Sequence, residues 1–316
     1  MFSFIKSIQN LLAELKKRKA LWFATISIVS ILGIMVSLYL LTAITSNIAK
    51  DVYKNMTISY KSALELKLED KQKEYSEVII GLKTNDSFKN NLNNKTLIDP
   101  VIDSFNKGLV AAGFNTISLV FYPTANQITQ YRNSINTAIN RKIPSFGIEV
   151  IPEGTFIIYL EPILAGDNVL GIIEVKENIL SLKKEFEKDG HKKFLFLMQE
   201  KMISNLSISA KNGKYRPIVD DLRVEEEKYD GKFFTNIIED DSEGFKEFKK
   251  EGYRVNKDFF RTYKEILDIN GANIGYIIVG EKVEGEGAFV KIVDEMTKSV
   301  SMISLGLVIA ILLFMF

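Results

Sequence analysis

The side chains best suited to bind a small molecule are concentrated between positions 122 and 161 of the chain. An arginine guanidinium can hold a carboxylate through two parallel hydrogen bonds, and tyrosine hydroxyl groups can complete such a site. The same residue types are also common at strand edges, where they are solvated or packed. The candidate ligand-binding residues are Tyr122, Tyr131, Arg132, Arg141, Glu149, Tyr159 and Glu161.

Other chemistries find little support in the residues present. The chain has no cysteine and one histidine, His191, so thiol catalysis, disulfides and histidine-cluster metal sites are excluded. The acidic runs at 225–230 and 239–245 lack the spaced oxygen ligands of a calcium loop, which favours solvated surface. Without a nucleophile beside a base or a metal cluster, we expect no enzymatic activity, no cofactor and no metal.

The charge of the chain is almost balanced, with 41 Lys and Arg residues against 40 Asp and Glu residues. Proteins that bind nucleic acids present an excess of basic residues to the phosphates. We therefore predict no nucleic-acid partner.

Two uncharged segments lie near the ends of the chain. No charged residue occurs from Ala20 to Ala49, and the apolar run at 21–44 can cross a hydrocarbon layer of roughly 30 Å. A secretory signal peptide is the alternative, but its apolar region is shorter and a cleavage site follows it. After Lys298 the chain is again uncharged. The sequence therefore predicts transmembrane helices at 21–44 and 297–316.

The orientation in the membrane follows from the basic run KKRK at 16–19. Positively charged flanks of a membrane span stay on the cytoplasmic side. This pattern predicts a protein of the inner membrane with a cytoplasmic N-terminal tail at 1–20 and a cytoplasmic C-terminus. The block at 45–296 then lies outside, in the periplasm or the extracellular space.

A long amphipathic helix is predicted at 45–81, continuous with the first span, because this segment has no proline and a glycine only at its end. Such a helix needs the rest of its domain, or a second copy of itself, to cover its apolar stripe. We therefore predict a homodimer. The stripe comprises Ile48, Val52, Met56, Ala63 and Leu66.

The rest of the block at 45–296 is predicted to form short strands and two long hairpins. The hairpins, at 154–177 and 257–283, turn at AGDN and NGA, and their glycines Gly171 and Gly275 are 104 positions apart. We interpret this as a repeated module, and the fold class as α+β. Further strands are predicted at 116–123, 146–151, 192–199 and 232–238, with helices at 178–188 and 286–296.

This layout resembles the double-Cache sensory domains of bacterial transmembrane receptors, such as chemotaxis receptors and sensor histidine kinases. The resemblance is most specific at 144–175, where a GIE strand precedes a strand ending in proline and a G-x-x-E return strand. It implies a membrane-distal PAS-like module at about 96–190, a membrane-proximal one at about 191–283 and an exit helix at 286–296. A ligand pocket is then expected between a sheet and its covering loops.

One motif of the amino-acid-binding Cache domains is missing from the sequence. Those domains carry a Tyr-x4-Arg-x-Trp pattern, whereas the single tryptophan here, Trp22, lies inside the first predicted span. Recognition of amino acids by that rule is therefore not supported.

The pattern as a whole predicts a membrane receptor that binds a small ligand, such as an organic acid, outside the cell membrane. The second span would then pass the signal to a cytoplasmic partner or domain beyond position 316. The alternative is a membrane-anchored binding or scaffold protein of the envelope without signalling output.

Overall fold

One helix, α1, runs without interruption from Lys19 to Thr84 in the computed structural model. This confirms the predicted long helix and its continuity with the apolar segment that precedes it. The helix ends three residues after Gly81. The structure describes residues 19–92, 94–124, 131–212, 215–225, 228–238, 242–283, 295–296, 298–306 and 309.

The chain divides into two compact units, one of residues 1–53 and 288–316 and the other of residues 54–287. In the first unit, the described residues are helical. Among all described residues, no helix combines the length and the hydropathy needed to cross a membrane. The two spans stay predictions from the sequence. The exit helix and the N-terminal tail lie largely outside the described residues, and so does half of the second span.

The buried face of α1 in the second unit differs from the predicted stripe. Leu66 belongs to the predicted stripe but is 59% exposed, so its own domain does not cover it. The covered face contains polar side chains that a hydropathy pattern assigns to solvent, because they form buried hydrogen bonds with the sheets. These covered residues are Met56, Tyr60, Leu64, Lys71, Tyr75, Ile79 and Leu82.

Residues on the opposite side of α1 remain open for a partner. Ile58, Leu66 and Ile80 are each more than half exposed. The homodimer stays a prediction, and these three positions are where a second helix would contact α1.

The first sheet has four antiparallel strands in the order β1-β4-β3-β2. Helix α4 packs on one of its faces through Ile135 and Ala138, and α1 covers the other through contacts such as that of Tyr75 with Phe146. The elements of this part of the chain are α2 (Asp86–Asn91), α3 (Lys95–Ala111), β1 (Ile117–Pro123), α4 (Asn133–Arg141), β2 (Ser145–Ile151), β3 (Gly154–Ala165), β4 (Asn168–Asn178) and α5 (Leu180–Phe186).

The second sheet has six antiparallel strands in the order β6-β7-β5-β10-β9-β8. A phenylalanine-rich core lies between this sheet and helices α7 and α8. The elements are β5 (Lys192–Gln199), a 3-10 helix (Glu200–Asn205), α6 (Ile208–Lys211), β6 (Tyr215–Pro217), β7 (Leu222–Glu225), α7 (Gly231–Ile238), α8 (Ser242–Glu251), β8 (Tyr253–Val255), β9 (Phe259–Leu267) and β10 (Asn273–Lys282).

The two predicted hairpins occupy equivalent places in the two sheets. β4 lies between β1 and β3, and β10 lies between β5 and β9, so the return strand is central in both sheets. Register shifts occur next to Gly171 in the first hairpin and at Gly275 in the second. The repeat seen in the sequence is therefore a repeat of strand order, and the α+β class is confirmed.

One predicted strand is a helix. Residues 232–238 were expected to form a strand, but they belong to α7. Phe233, Phe234 and Ile237 recur at helical spacing and are buried in the second core, and the Asp230 side chain accepts hydrogen bonds from the Lys232 and Phe233 amides at the helix start. A short apolar run is compatible with a buried strand and with a buried helix. Here the hydrogen bonds of the Asp230 side chain to the first amides favour the helix.

Candidate ligand-binding site

A cluster of ionisable side chains lies between α4 and the first sheet. Arg132 is the residue directly before α4, and its Nε donates to the carboxylate of Glu149 on β2 at 3.0 Å. The same Nε lies 2.9 Å from the hydroxyl of Ser134, which itself donates to Glu149 at 3.0 Å. The start of α4 is thus joined to the neighbouring edge strand through charged hydrogen bonds.

Glu174 on β4 completes the cluster, and it was not among the candidates from the sequence. A terminal nitrogen of Arg132 forms an ion pair with this carboxylate, whose side chain has no solvent exposure. The hydroxyl of Tyr122 donates to Glu174 at 3.4 Å. The available signal was the G-x-x-E return strand, in which a glutamate interrupts a run of apolar residues. A charge in a buried strand requires a partner.

The strand registers explain why these residues meet. Glu174 lies opposite Val120 on β1 and opposite Leu160 on β3. Side chains two positions apart share a face of a strand, so Tyr122 lies on the same face as Glu174. Leu160 packs against α4, which shows that this is the face that α4 covers.

The remaining candidates lie elsewhere. Tyr159 and Glu161 are on the opposite face of β3, where the Tyr159 hydroxyl donates to Glu161 at 3.1 Å and Lys83 of α1 pairs with Glu161. Arg141 is exposed at the end of α4. The hydroxyl of Tyr131 donates to the Pro123 carbonyl at 2.6 Å, and its ring packs on Tyr122, so it borders the cluster.

The charges of the cluster do not cancel. Two carboxylates, Glu149 and Glu174, face one guanidinium, which leaves a net charge of −1 when all three are ionised. The Arg132 side chain keeps 24% of its surface exposed, so the cluster reaches solvent through the arginine. A ligand that brings a positive charge would relieve the imbalance, whereas a carboxylate ligand would have to displace a glutamate from Arg132.

Burial raises the pKa of two groups in this cluster, Glu149 and Tyr122. It raises the pKa of Glu149 above its usual value, and the opposing effects of Arg132 and Ser134 do not fully offset this. Burial, followed by the neighbouring Glu174 carboxylate, raises the pKa of Tyr122 to about 12. Tyr122 therefore stays a neutral hydrogen-bond donor at physiological pH.

The raised pKa of Glu149 predicts a specific pH dependence. A carboxyl whose pKa is higher in the folded state contributes stability below its usual pKa, near 4.5, and loses it as the pH rises through the folded value. The free energy of unfolding of the wild type, minus that of Glu149→Gln, should therefore fall as the pH increases through this window. Denaturant unfolding from pH 4 to pH 7 measures this difference, and a difference that grows with pH would contradict the assignment.

No protein-family model and no curated protein matches the sequence. The chain is similar to solved sensory domains. The sensory domain of the Campylobacter jejuni chemoreceptor Tlp3 is 11% identical over 78% of this chain and 98% of that domain, with a TM-score of 0.45.

Two further structures have comparable similarity. The extracellular domain of a protein described as a histidine kinase is 13% identical over 74% of this chain and 97% of that one, with a TM-score of 0.43. The ligand-binding domain of the Pseudomonas fluorescens chemoreceptor CtaA, solved with L-serine, is 11% identical over 73% of this chain and 99% of that domain, with a TM-score of 0.39. All three are described as extracellular, sensory or ligand-binding domains.

Proposed function

We propose that this chain is the sensory part of a transmembrane receptor of the inner membrane. In this proposal, residues 45–296 face the periplasm or the extracellular space and bind a small ligand, and the second predicted span passes the signal to a cytoplasmic output. The observation that carries the proposal is the buried cluster of Arg132, Glu149 and Glu174 between α4 and the first sheet.

The charge of the cluster favours one class of ligand over another. An organic acid would compete with two glutamates for Arg132 and would add to the negative charge. An ammonium group instead forms charge-assisted hydrogen bonds with the carboxylates. We therefore propose a small ligand that carries an ammonium group. A ligand that also has a carboxylate can exchange with the internal ion pair, its ammonium binding a glutamate and its carboxylate binding Arg132.

Such a site can serve as a sensor because each of its carboxylates can pair either with Arg132 or with a ligand. Arg132 is bound to Glu149 and Glu174 in the arrangement described here. When a ligand takes one of these carboxylates, Arg132 and the start of α4 lose a bond to the sheet. A ligand shifts an equilibrium through its different affinity for two states, and α4 is the element whose position differs between them.

The test is a thermal-shift screen of the 316-residue chain against amines, diamines, amino acids and dicarboxylic acids. At 100 times its dissociation constant, a ligand adds about 2.7 kcal/mol to the free energy of unfolding. Compounds with an ammonium group should shift the transition in a concentration-dependent way, and dicarboxylic acids should not. Neutralising one carboxylate with Glu174→Gln should weaken binding about tenfold to a hundredfold, the range for hydrogen bonds to charged groups.

The matched control is Glu161→Gln, which removes a carboxylate from the opposite face of the same sheet. It should leave the affinity for the ligand unchanged. A screen in which only dicarboxylic acids bind would overturn the ligand class, and a screen without any binding to the folded chain would overturn direct sensing.

A further inference from the structure

The turn of the second hairpin reaches out of its own sheet and contacts the first one. It connects β9 to β10, and its Asp268 carboxylate accepts hydrogen bonds from the amides of Asn270 at 2.9 Å and Ala272 at 2.8 Å. The Asp268 amide donates in turn to the Ala272 carbonyl at 2.8 Å. These bonds fix the backbone of the turn, so Ile269 and Asn270 are presented from a rigid support.

Ile269 at the tip of this turn belongs to the apolar core of the other module. It packs against the cluster under α4 that includes Ile135 and Ala138. Its Cγ1 atom lies only 3.0 Å from the position that a β carbon on Gly147 of β2 would occupy. Next to it, the Thr137 hydroxyl of α4 donates to the Asn270 side chain at 3.1 Å. The turn therefore contacts both α4 and β2 of the first sheet.

Helix α4 has the candidate ligand site at one end and this turn along its length. Arg132, which precedes its first residue, binds Glu149 and Glu174, and Thr137 in the next turn of the helix meets Asn270. A helix of nine residues moves as a rigid body, because its hydrogen bonds are internal. A displacement of Arg132 therefore also changes the packing around Ile269.

The far end of β10 is tied to α1. Glu281, the second-last residue of β10, accepts a buried hydrogen bond of 2.5 Å from the hydroxyl of Tyr60. The Tyr60 ring also stacks on Phe260 of the neighbouring strand β9. β10 thus connects the turn that contacts α4 with the hydrogen bond to Tyr60 of α1.

We propose that the β9–β10 turn is the coupling element between the two modules. In this mechanism, a displacement of Arg132 moves α4, and α4 moves Ile269 and Asn270 of the turn. Strand β10, which follows the turn, then passes the displacement on to Glu281. The biological meaning of this route rests on the proposed sensory function. The route itself is a property of the contacts and can be measured without any ligand.

Other contacts that join the modules set the requirement for the test. The Ser207 amide donates to the Pro152 carbonyl at 2.9 Å, the rings of Phe186 and Phe194 lie 6.1 Å apart, and α1 bonds to both sheets, so a change could also pass through these contacts. The experiment therefore has to weaken the turn contact and leave the others in place. Ile269→Ala does so, because it removes the apolar packing of the turn and keeps its backbone hydrogen bonds.

The experiment is amide hydrogen exchange on the 316-residue chain without ligand. Glu149→Gln perturbs the cluster, with Ser134→Ala as a milder alternative if the first variant does not fold. Each perturbation is measured in the wild type, in Ile269→Ala and in Leu267→Ala. Leu267 is the matched control, because it precedes the same turn and is 52% exposed.

In the wild type and in Leu267→Ala, the perturbation should raise exchange about threefold to tenfold, the range of energetic coupling between packed sites, both in 133–141 and in 265–283. In Ile269→Ala, the change should persist in 133–141 and become clearly smaller in 265–283, where only the Thr137–Asn270 bond still connects the turn to α4. An unchanged response of 265–283 in Ile269→Ala would overturn the proposal, as would a wild-type response that stops at α4. Neither result depends on whether an amine binds, so the two proposals fail separately.

Discussion

Replacing Lys71 with methionine should lower the free energy of unfolding by about 3–5 kcal/mol, the cost of leaving a buried charge without its partner. The Lys71 ammonium lies 2.9 Å from Glu177 and 3.1 Å from Glu185, and Glu177 is 1% exposed. Burial acts to lower the pKa of Lys71, but the bonds to the two carboxylates outweigh it and leave the pKa raised. The lysine is therefore charged in the folded state and compensates Glu177.

Glu177 is the centre at which α1 is attached to the first sheet. The hydroxyl of Tyr75 donates to it at 2.7 Å and that of Thr116 at 2.5 Å. These two hydrogen bonds remain in Lys71→Met, but the negative charge then has no compensating cation from α1. Urea unfolding followed by far-UV circular dichroism measures the loss.

Two further variants distinguish the cost of leaving the Glu177 charge uncompensated from the cost of replacing any lysine. Lys89→Met removes an exposed ion pair with Asp86 and should change stability by less than about 1 kcal/mol. The double variant Lys71→Met/Glu177→Gln removes both charges and should recover much of the loss, because the buried carboxylate is gone. A single variant as stable as Lys89→Met would contradict the role given to this ion pair.

Gly275→Ala should destabilise the protein by about 3 kcal/mol or more, through strain and steric overlap together. Gly275 has a φ of +152°, a conformation that residues with a β carbon rarely adopt. A β carbon here would lie 1.9 Å from the carbonyl oxygen of Leu197 on β5, which is backbone of the neighbouring strand. The sheet must therefore part at this position to admit a methyl group.

The matched control is Gly108→Ala in α3, where an added β carbon meets no heavy atom within 4 Å. That substitution should raise stability by up to about 1 kcal/mol, because alanine favours the helix. Thermal unfolding of both variants measures the contrast. Equal melting temperatures for Gly275→Ala and the wild type would show that the close approach of β5 and β10 does not exist in solution.

The regular elements could be predicted from the sequence because their patterns are local. The long helix follows from a segment without helix breakers, and the hairpins follow from paired apolar runs around Gly, Asn and Asp. The pattern was less informative where polar residues are buried. Tyr60, Lys71 and Tyr75 lie on the covered face of α1 because their partners come from strands more than a hundred positions away.

In the candidate site, too, the sequence predicts some of the residues and the tertiary structure decides which of them meet. Tyr122, Arg132 and Glu149 were named from residue type alone, and the structure brings them together with Glu174 and Ser134. Tyr159 and Glu161 were named by the same reasoning but face α1, since their positions in β3 place them on the other side of the sheet. Residue type cannot distinguish the two faces without the register.

The sequence by itself determined the nearly neutral charge, the two uncharged segments near the ends, the α+β class and the repeated hairpin. Each of these depends on composition or on neighbours along the chain. Only the tertiary structure decided that Arg132 faces two carboxylates and that Ile269 packs beneath α4. These contacts join residues far apart in sequence, and their existence depends on strand order and register, which no local pattern specifies.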